Sequence, residues 1–172
     1  SFCENNEKMY LISSKHLAIY NQQNGQVQYE EIPLDYSRLN CILSLGKDTI
    51  GIGTNNGIIL FFAKSKQFRN VEMHFNVMRL FEDSHNELWL FSKEQRGIVR
   101  YDPLTNEQQH YETPTQNMPK AELRSRDVIF EDSQGTLWVV PHLGCLSYYD
   151  REDKELKPYY TDYSKPESKF TP

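Results

Sequence analysis

The sequence predicts an all-β fold: a β-propeller segment of about four four-stranded blades, part of a larger, seven-bladed ring. Three observations carry that expectation. A unit of two short strands with turn residues at both ends is written as EDSHNELWLFSKEQRGIVRYD over 82–102 and again as EDSQGTLWVVPHLGCLSYYD over 131–150. When four copies are aligned on the apolar residue that opens the second strand, they start at Met9, Ile50, Leu88 and Leu137. The spacings of 41, 38 and 49 residues bracket the roughly 40–45 residues of a four-stranded propeller repeat. Finally, the second strands are near-continuous apolar runs such as LWLF and LWVV, the mark of strands buried on both faces. Parallel α/β sheets also bury both faces, but no amphipathic stretch of crossover length is present. Propeller blades, each packed between two neighbours, are the remaining way to do it.

In chain order, the blades fall at about 1–36, 37–74, 75–113 and 124–163, all within one partial propeller domain over 1–172. Residues 114–123 form a loop insertion with Pro114 and Pro119 at its margins, and 164–172 are a tail or the start of a next blade. First strands are expected at 39–45, 77–81 and 126–130, and second strands at 9–13, 50–54, 88–92 and 137–141. Third strands follow at 17–20, 58–62, 98–101 and 146–149, and the more polar fourth strands at 26–32, 67–73, 107–112 and 155–160. Between them sit Asn24-Gly25, Asn56-Gly57, Asp102-Pro103 and Gln134-Gly135, residues that supply turn conformations. Phe2-Cys3-Glu4-Asn5 aligns with Phe130-Glu131-Asp132-Ser133, so the chain is expected to open at the tail of a first strand. An arc of blades would leave an apolar face at each end, and self-association or further blades of a parent ring are the expected ways of covering it.

Composition narrows the function classes. The chain of 172 residues has a net charge of −5 with both signs mixed, so no basic stripe recommends nucleic acid or an anionic membrane as partner. A mean hydropathy of −0.72 beside 13% aromatic residues suits short aromatic strands between polar turns better than disorder. No stretch approaches the roughly 20 apolar residues of a membrane helix, and SFCENNEK has neither the basic start nor the apolar run of a signal peptide. Cys3, Cys41 and Cys145 are odd in number and far apart, which points to small packing residues rather than a zinc site or disulfide frame. No cofactor is expected.

The fourth unit, with Asp132, Gly135, Leu137, Trp138, Leu146, Tyr149 and Asp150, resembles the two-component regulator propeller repeat. The third supplies Asp83, Leu88, Trp89, Gly97, Ile98, Tyr101, Asp102 and Pro103 to the same pattern. The second keeps Gly51-Ile52-Gly53-Thr54 but has Gly51 at the Trp position and Phe61-Phe62 in place of Tyr-Asp. The first keeps only Tyr20-Asn21. The resemblance implies the periplasmic ectodomain of a hybrid sensor histidine kinase of Bacteroidetes type, sensing an oligosaccharide and non-catalytic in itself. Fold analogy alone does not fix function. A propeller used as a protein-interaction scaffold is the alternative, and a propeller lyase of the streptogramin-inactivating type is a further one.

Several residues invite a functional reading. Trp89 and Trp138 could stack on sugars, but their repeat position in the most apolar strand favours packing between blades. Tyr101-Asp102 and Tyr149-Asp150 read as strand ends with a carboxylate capping the next turn. The five histidines, His16, His74, His85, His110 and His142, share no ligand spacing, and no hydrolase, phosphate-loop or metal motif occurs. Ligand binding is expected on the rim made by the loops joining second to third strands and fourth to next first strands. Its candidates are Arg96, His142, Asn55, Asn56 and Lys93, on loops held by a rigid scaffold.

Overall fold

The structure is a computed structural model and describes residues 1–33, 38–92, 97–112, 128–140 and 146–159. Sixteen strands among these residues form four antiparallel four-stranded sheets, each a simple meander. The first holds β1 (Phe2–Asn5), β2 (Lys8–Ile12), β3 (His16–Asn21) and β4 (Val27–Glu31), and the second β5 (Leu39–Leu45), β6 (Thr49–Thr54), β7 (Gly57–Phe62) and β8 (Gln67–Glu72). The third holds β9 (Val77–Glu82), β10 (Leu88–Ser92), β11 (Ile98–Tyr101) and β12 (Gln108–Tyr111). The fourth holds β13 (Val128–Glu131), β14 (Leu137–Val140), β15 (Ser147–Asp150) and β16 (Glu155–Pro158). First strands of successive sheets approach one another, β1 to β5 and β5 to β9, while the fourth strands stay apart. The sheets therefore radiate as blades, with β1, β5 and β9 innermost.

Alternation along each strand assigns its side chains to two different interfaces. In β10, Leu88 and Leu90 face the second blade, whereas Trp89 and Phe91 face the fourth. In β7, Ile59 and Phe61 pack toward the first blade and Ile58 and Leu60 toward the third. Three apolar clusters result, one per junction. Both faces are buried in the middle blades, and that is why LWLF reads as an unbroken apolar run. The outer strand β4, with a solvated face, carries Gln28, Tyr29 and Glu31 exposed.

The turns repeat as faithfully as the strands. In the first three blades the link from third to fourth strand closes with a backbone hydrogen bond over four residues: Gly25 to Asn21, Lys66 to Phe62 and Asn106 to Asp102. One or two residues ahead of the fourth strand a left-handed residue recurs in every blade, Gly25 at φ 70, Lys66 at 56, Asn106 at 61 and Lys154 at 52. Asp102 Oδ1 accepts from Leu104 N at 2.8 Å, Asp150 Oδ1 from Glu152 N at 2.9 Å, and Asn21 Oδ1 from Gln23 N at 2.9 Å. Satisfying these turn amides gives the side chain after the strand-closing tyrosine its job.

One expectation is corrected. Pairing of Glu4 with Met9 and of Glu131 with Leu137 sets Glu4, not Cys3, at the register of Glu131. The first hairpin closes through Asn6 and Glu7, at φ 48 and 60, one residue tighter than its counterparts. Such a two-residue turn requires positive φ at both centres, and a one-residue slip swaps every side chain between faces. Cys3 accordingly points inward and packs against the cluster of the first junction. Cys3 and Cys41 are half-buried rather than sealed.

Candidate functional site

The rim expected to bind ligand is described at its second blade. Asn55 and Asn56 form the turn between β6 and β7, where Asn55 N donates to Arg38 O at 3.3 Å and Met73 N to Asn56 O at 3.1 Å. The buried hydroxyl of Thr54 braces this turn, donating to Gly57 O at 3.1 Å and accepting from Asn56 N at 3.1 Å. Gly57 is obligatory here. Its φ is 128, and a Cβ would lie 2.2 Å from Val71 O. Two partly buried asparagines are thus held on a turn tied to both the preceding and following strands.

Beside them, Asn40 occupies a bulge in β5, between Leu39 and Cys41, where the register with β6 shifts. Its Nδ2 donates to Asn76 Oδ1 at 2.7 Å and to Val77 O at 2.9 Å, stitching the second blade to the third. Bulges re-aim a side chain, and this one turns a polar residue out of an apolar strand. Asn40, Asn76 and Arg38 were not among the sequence candidates. The available signal was the single amide inside the otherwise apolar run LNCILSL. The groups gathered here are side-chain amides braced by a buried hydroxyl, suited to hydrogen-bonding a polar ligand rather than to covalent chemistry. Lys93, Arg96 and His142 lie outside the described residues, so the structure brings together only Asn55 and Asn56 of the five rim candidates.

The opposite rim carries a charged network between the third and fourth blades. Asp83 is wholly buried at its side chain, and its Oδ2 accepts from Trp89 Nε1 at 2.9 Å and from Arg151 Nη2 at 2.8 Å. Its Oδ1 accepts from the backbone N–H of His85 and Glu87. Burial raises the Asp83 pKa, but the hydrogen bonds from Arg151, Trp89 and the Glu87 N–H outweigh it and hold the pKa below the ordinary value. Arg151 Nη1 bridges on to Glu87 Oε2 at 2.7 Å, and Arg100 Nε reaches Glu87 Oε1 at 2.8 Å. Glu131 of the fourth blade accepts from Ser84 N and Ser84 Oγ, both at 2.7 Å. Glu82 takes the matching position one blade earlier, accepting from Gly46 N at 3.0 Å.

The residues read as structural sit in this frame. Trp89 is 0% exposed and meets Tyr149 edge-on across the junction, with ring centroids 4.8 Å apart. The Tyr149 hydroxyl bonds that of Tyr111 at 3.1 Å, and burial followed by this bond pushes the Tyr149 pKa up. Tyr101 is buried in the junction between the second and third blades, and its hydroxyl donates to Asn106 Oδ1 at 2.8 Å. Asp102 and Asp150 cap their turns, and Asp150 also receives Lys157 Nζ at 2.7 Å. Trp138 is placed differently from Trp89. It lies on the outward face of the fourth blade, among Phe130, Tyr148 and Tyr159 of its own sheet.

No family model matches the chain, and no curated protein matches it. Solved structures do. The extracellular domain of the hybrid two component system BT4673 from Bacteroides thetaiotaomicron superposes with a TM-score of 0.66 at 18% identity over 97% of this chain and 22% of that one. The extracellular domain of BT3049, described as a hybrid two component system of the same organism, gives 0.62 at 22% identity over 86% of this chain and 19% of that one. Virginiamycin B lyase from Staphylococcus aureus gives 0.72 at 12% identity over 94% of this chain and 55% of that one. The chain thus spans about a fifth of each sensor domain and about half of the lyase. Among the described residues no helix is long and apolar enough to cross a membrane. These likenesses identify the fold: the chain is a segment of a β-propeller, similar in structure to the extracellular domains of Bacteroides two-component sensors.

Proposed function

We propose that the chain is an arc of a ligand-sensing propeller, the periplasmic ectodomain of a hybrid sensor histidine kinase, non-catalytic itself and directed at an oligosaccharide. The observation that supports it most directly is the braced amide rim. Asn55 and Asn56 are fixed by Thr54, Arg38 and Met73, next to the Asn40–Asn76 bridge, on a fold shared with sensor ectodomains. Amide side chains pair with the alternating donors and acceptors of sugar hydroxyls, and preorganisation lowers the cost of ordering them on binding. In this reading Arg96, His142 and Lys93 belong to the same ligand site.

The test is calorimetric titration of plant and host oligosaccharides into the parent ectodomain, with Asn55→Ala and Asn56→Ala as variants. Loss of one or two hydrogen bonds should weaken binding by about 5- to 30-fold. Saturable glycan binding that neither variant alters would place the site elsewhere. Absence of binding across the panel would overturn the oligosaccharide assignment.

A second reading follows from the likeness to the lyase. Its discriminating measurement is turnover of quinupristin by the chain with a divalent metal supplied. Turnover abolished by His142→Ala would replace the sensing reading with the lyase one, and no turnover removes it.

A further inference from the structure

The turn that carries Asn55 and Asn56 is tied on each side to a segment linking two blades, and each segment presents one exposed side chain with N–H donors. Arg38, just ahead of β5, is exposed, and its carbonyl accepts from Asn55 N at 3.3 Å. On the other side Met73 N donates to Asn56 O at 3.1 Å, and the exposed His74 follows it. Met73 and Phe75 are both buried in the junction of the second and third blades, which leaves His74, between them, at the surface of the rim. Two residues on, Asn76 Oδ1 accepts from Asn40 Nδ2 at 2.7 Å.

His74 is held at φ 56, a conformation that glycine and asparagine adopt at the least cost. The other non-glycine residues with positive φ, Asn6, Glu7, Lys66, Asn86, Asn106 and Lys154, lie among the described residues in hairpin turns of the opposite rim. A strained histidine beside the amide turn points to a use for its ring, since the backbone alone is better served by a smaller residue. Arg38 and His74 form no ion pair and no side-chain hydrogen bond among the described residues, and Glu72, the carboxylate nearest His74 in sequence, already has a partner. Toward the opposite rim, by contrast, Arg100 and Arg151 both meet Glu87, and Lys64 meets Asp48.

We propose that this rim takes an acidic oligosaccharide, with a sugar carboxylate held by Arg38 and His74 while Asn55 and Asn56 pair with the neighbouring hydroxyls. A guanidinium presents its N–H groups in a planar fork that matches a carboxylate, and an imidazole offers an N–H donor in either charge state. Neutral amides alone give little preference for a charged sugar over its ester, so the two flanking residues supply the discrimination. This assignment rests on the proposed sensing role of the same rim and adds to it the charge of the ligand.

Calorimetric titration of the parent ectodomain tests it, with short oligomers of galacturonic, glucuronic and mannuronic acid, each beside its methyl ester, and a set of neutral oligosaccharides. In at least one pair the acid should bind about tenfold or more tightly than the ester, and the ratio should fall as salt is raised. Arg38→Gln should bring that ratio to about one and move the ester's own affinity less than about twofold. His74→Asn, which keeps a residue suited to the left-handed backbone, should cut the ratio about threefold. Both positions are exposed, so both variants should melt with the wild type. Acid and ester binding alike, and both weakened by Asn55→Ala, overturns the acidic assignment while the rim remains a glycan site. A preference for the acid that survives Arg38→Gln and His74→Asn overturns the placement of the carboxylate here. No binding of any acid overturns the assignment; saturable binding of a neutral glycan in the same series keeps the sensing reading, and its absence removes both.

Discussion

Replacing Arg151 by alanine removes the one side chain among the described residues that ties the fourth blade to the buried carboxylate of the third. Two charge-assisted hydrogen bonds go, to Asp83 Oδ2 at 2.8 Å and Glu87 Oε2 at 2.7 Å. Breaking a fully buried pair costs about 3–5 kcal/mol, an upper bound here because Arg151 is 28% exposed at its side chain and Glu87 23%. Asp83 has no exposure at all, but it keeps Trp89 and two backbone amides as donors. The expected loss is therefore about 2–3 kcal/mol. For a chain of this size that corresponds to a fall in Tm of about 5–10 °C. Arg151→Lys, which keeps the charge but cannot bridge both carboxylates, should lose about half as much.

Differential scanning calorimetry reads the effect, and pH gives it a signature that a mere packing loss would lack. Because the folded-state pKa of Asp83 is depressed, its ionised form stabilises the protein above the unfolded value of 3.8, and that contribution is lost as pH falls through the lower folded value. The gap between wild type and Arg151→Ala should thus be full near neutrality and narrow as pH drops below about 4. A Tm within about 1 °C of wild type at pH 7, or a gap that does not change with pH, would refute the network as a source of stability.

Gly53→Ala should destabilise by about 1–3 kcal/mol, because its Cβ would stand 2.5 Å from Cys41 Sγ and 2.8 Å from Val77 O. Gly51→Ala, which meets only the ends of Leu45 and Leu80 at 2.9 and 3.2 Å, should cost less, and chemical denaturation of the pair checks the order. Trp89→Ala should cost about 3–5 kcal/mol by the same measurement, and Trp138→Ala clearly less, since Trp138 faces outward. Burial pushes the Cys3 and Cys41 thiols up to about 11, so at pH 8 iodoacetamide should alkylate them about a hundredfold more slowly than in the unfolded chain. Peptide mass spectrometry follows each site, and equal rates folded and unfolded would contradict the placement of both residues.

Much of the fold was legible because each blade says the same thing in the same places. The run LWLF implied burial on both faces, and Trp89 and Leu88 do face opposite neighbours. The apolar alternation of a strand, its closing Tyr-Asp and the turn glycines are all local signals. What escaped was set across blades. Arg151 follows Asp150 where the third blade has Pro103 and the second Ala63, so repetition concealed it, although its partners Asp83 and Glu87 lie more than sixty residues away. The register of Phe2 is hidden in the sequence for a related reason. A hairpin one residue shorter leaves no mark in an alignment anchored on the next strand, yet it decides which face every side chain takes.

The same distinction bears on the site. Asn55 and Asn56 could be named from sequence because a turn between two apolar runs announces itself, but Asn40 joins them only through a bulge that turns it out of its strand. A rim assembled from such pieces is fixed by the junctions beneath it. The Asn40 amide spans to Asn76 and Val77 of the next blade, while on the other rim Glu82 and Glu131 tie each blade to the turn before it. The junction of the second and third blades is thus apolar at its centre and hydrogen-bonded at both ends, which leaves little freedom for one blade to rotate against the other. If this propeller signals, the physical expectation is that its blades move as a body rather than bending within the arc. Hydrogen exchange should then show β6, β7 and β10 protected alike, with or without ligand, and ligand-induced loss of protection confined to β9 and β10 would contradict that rigidity.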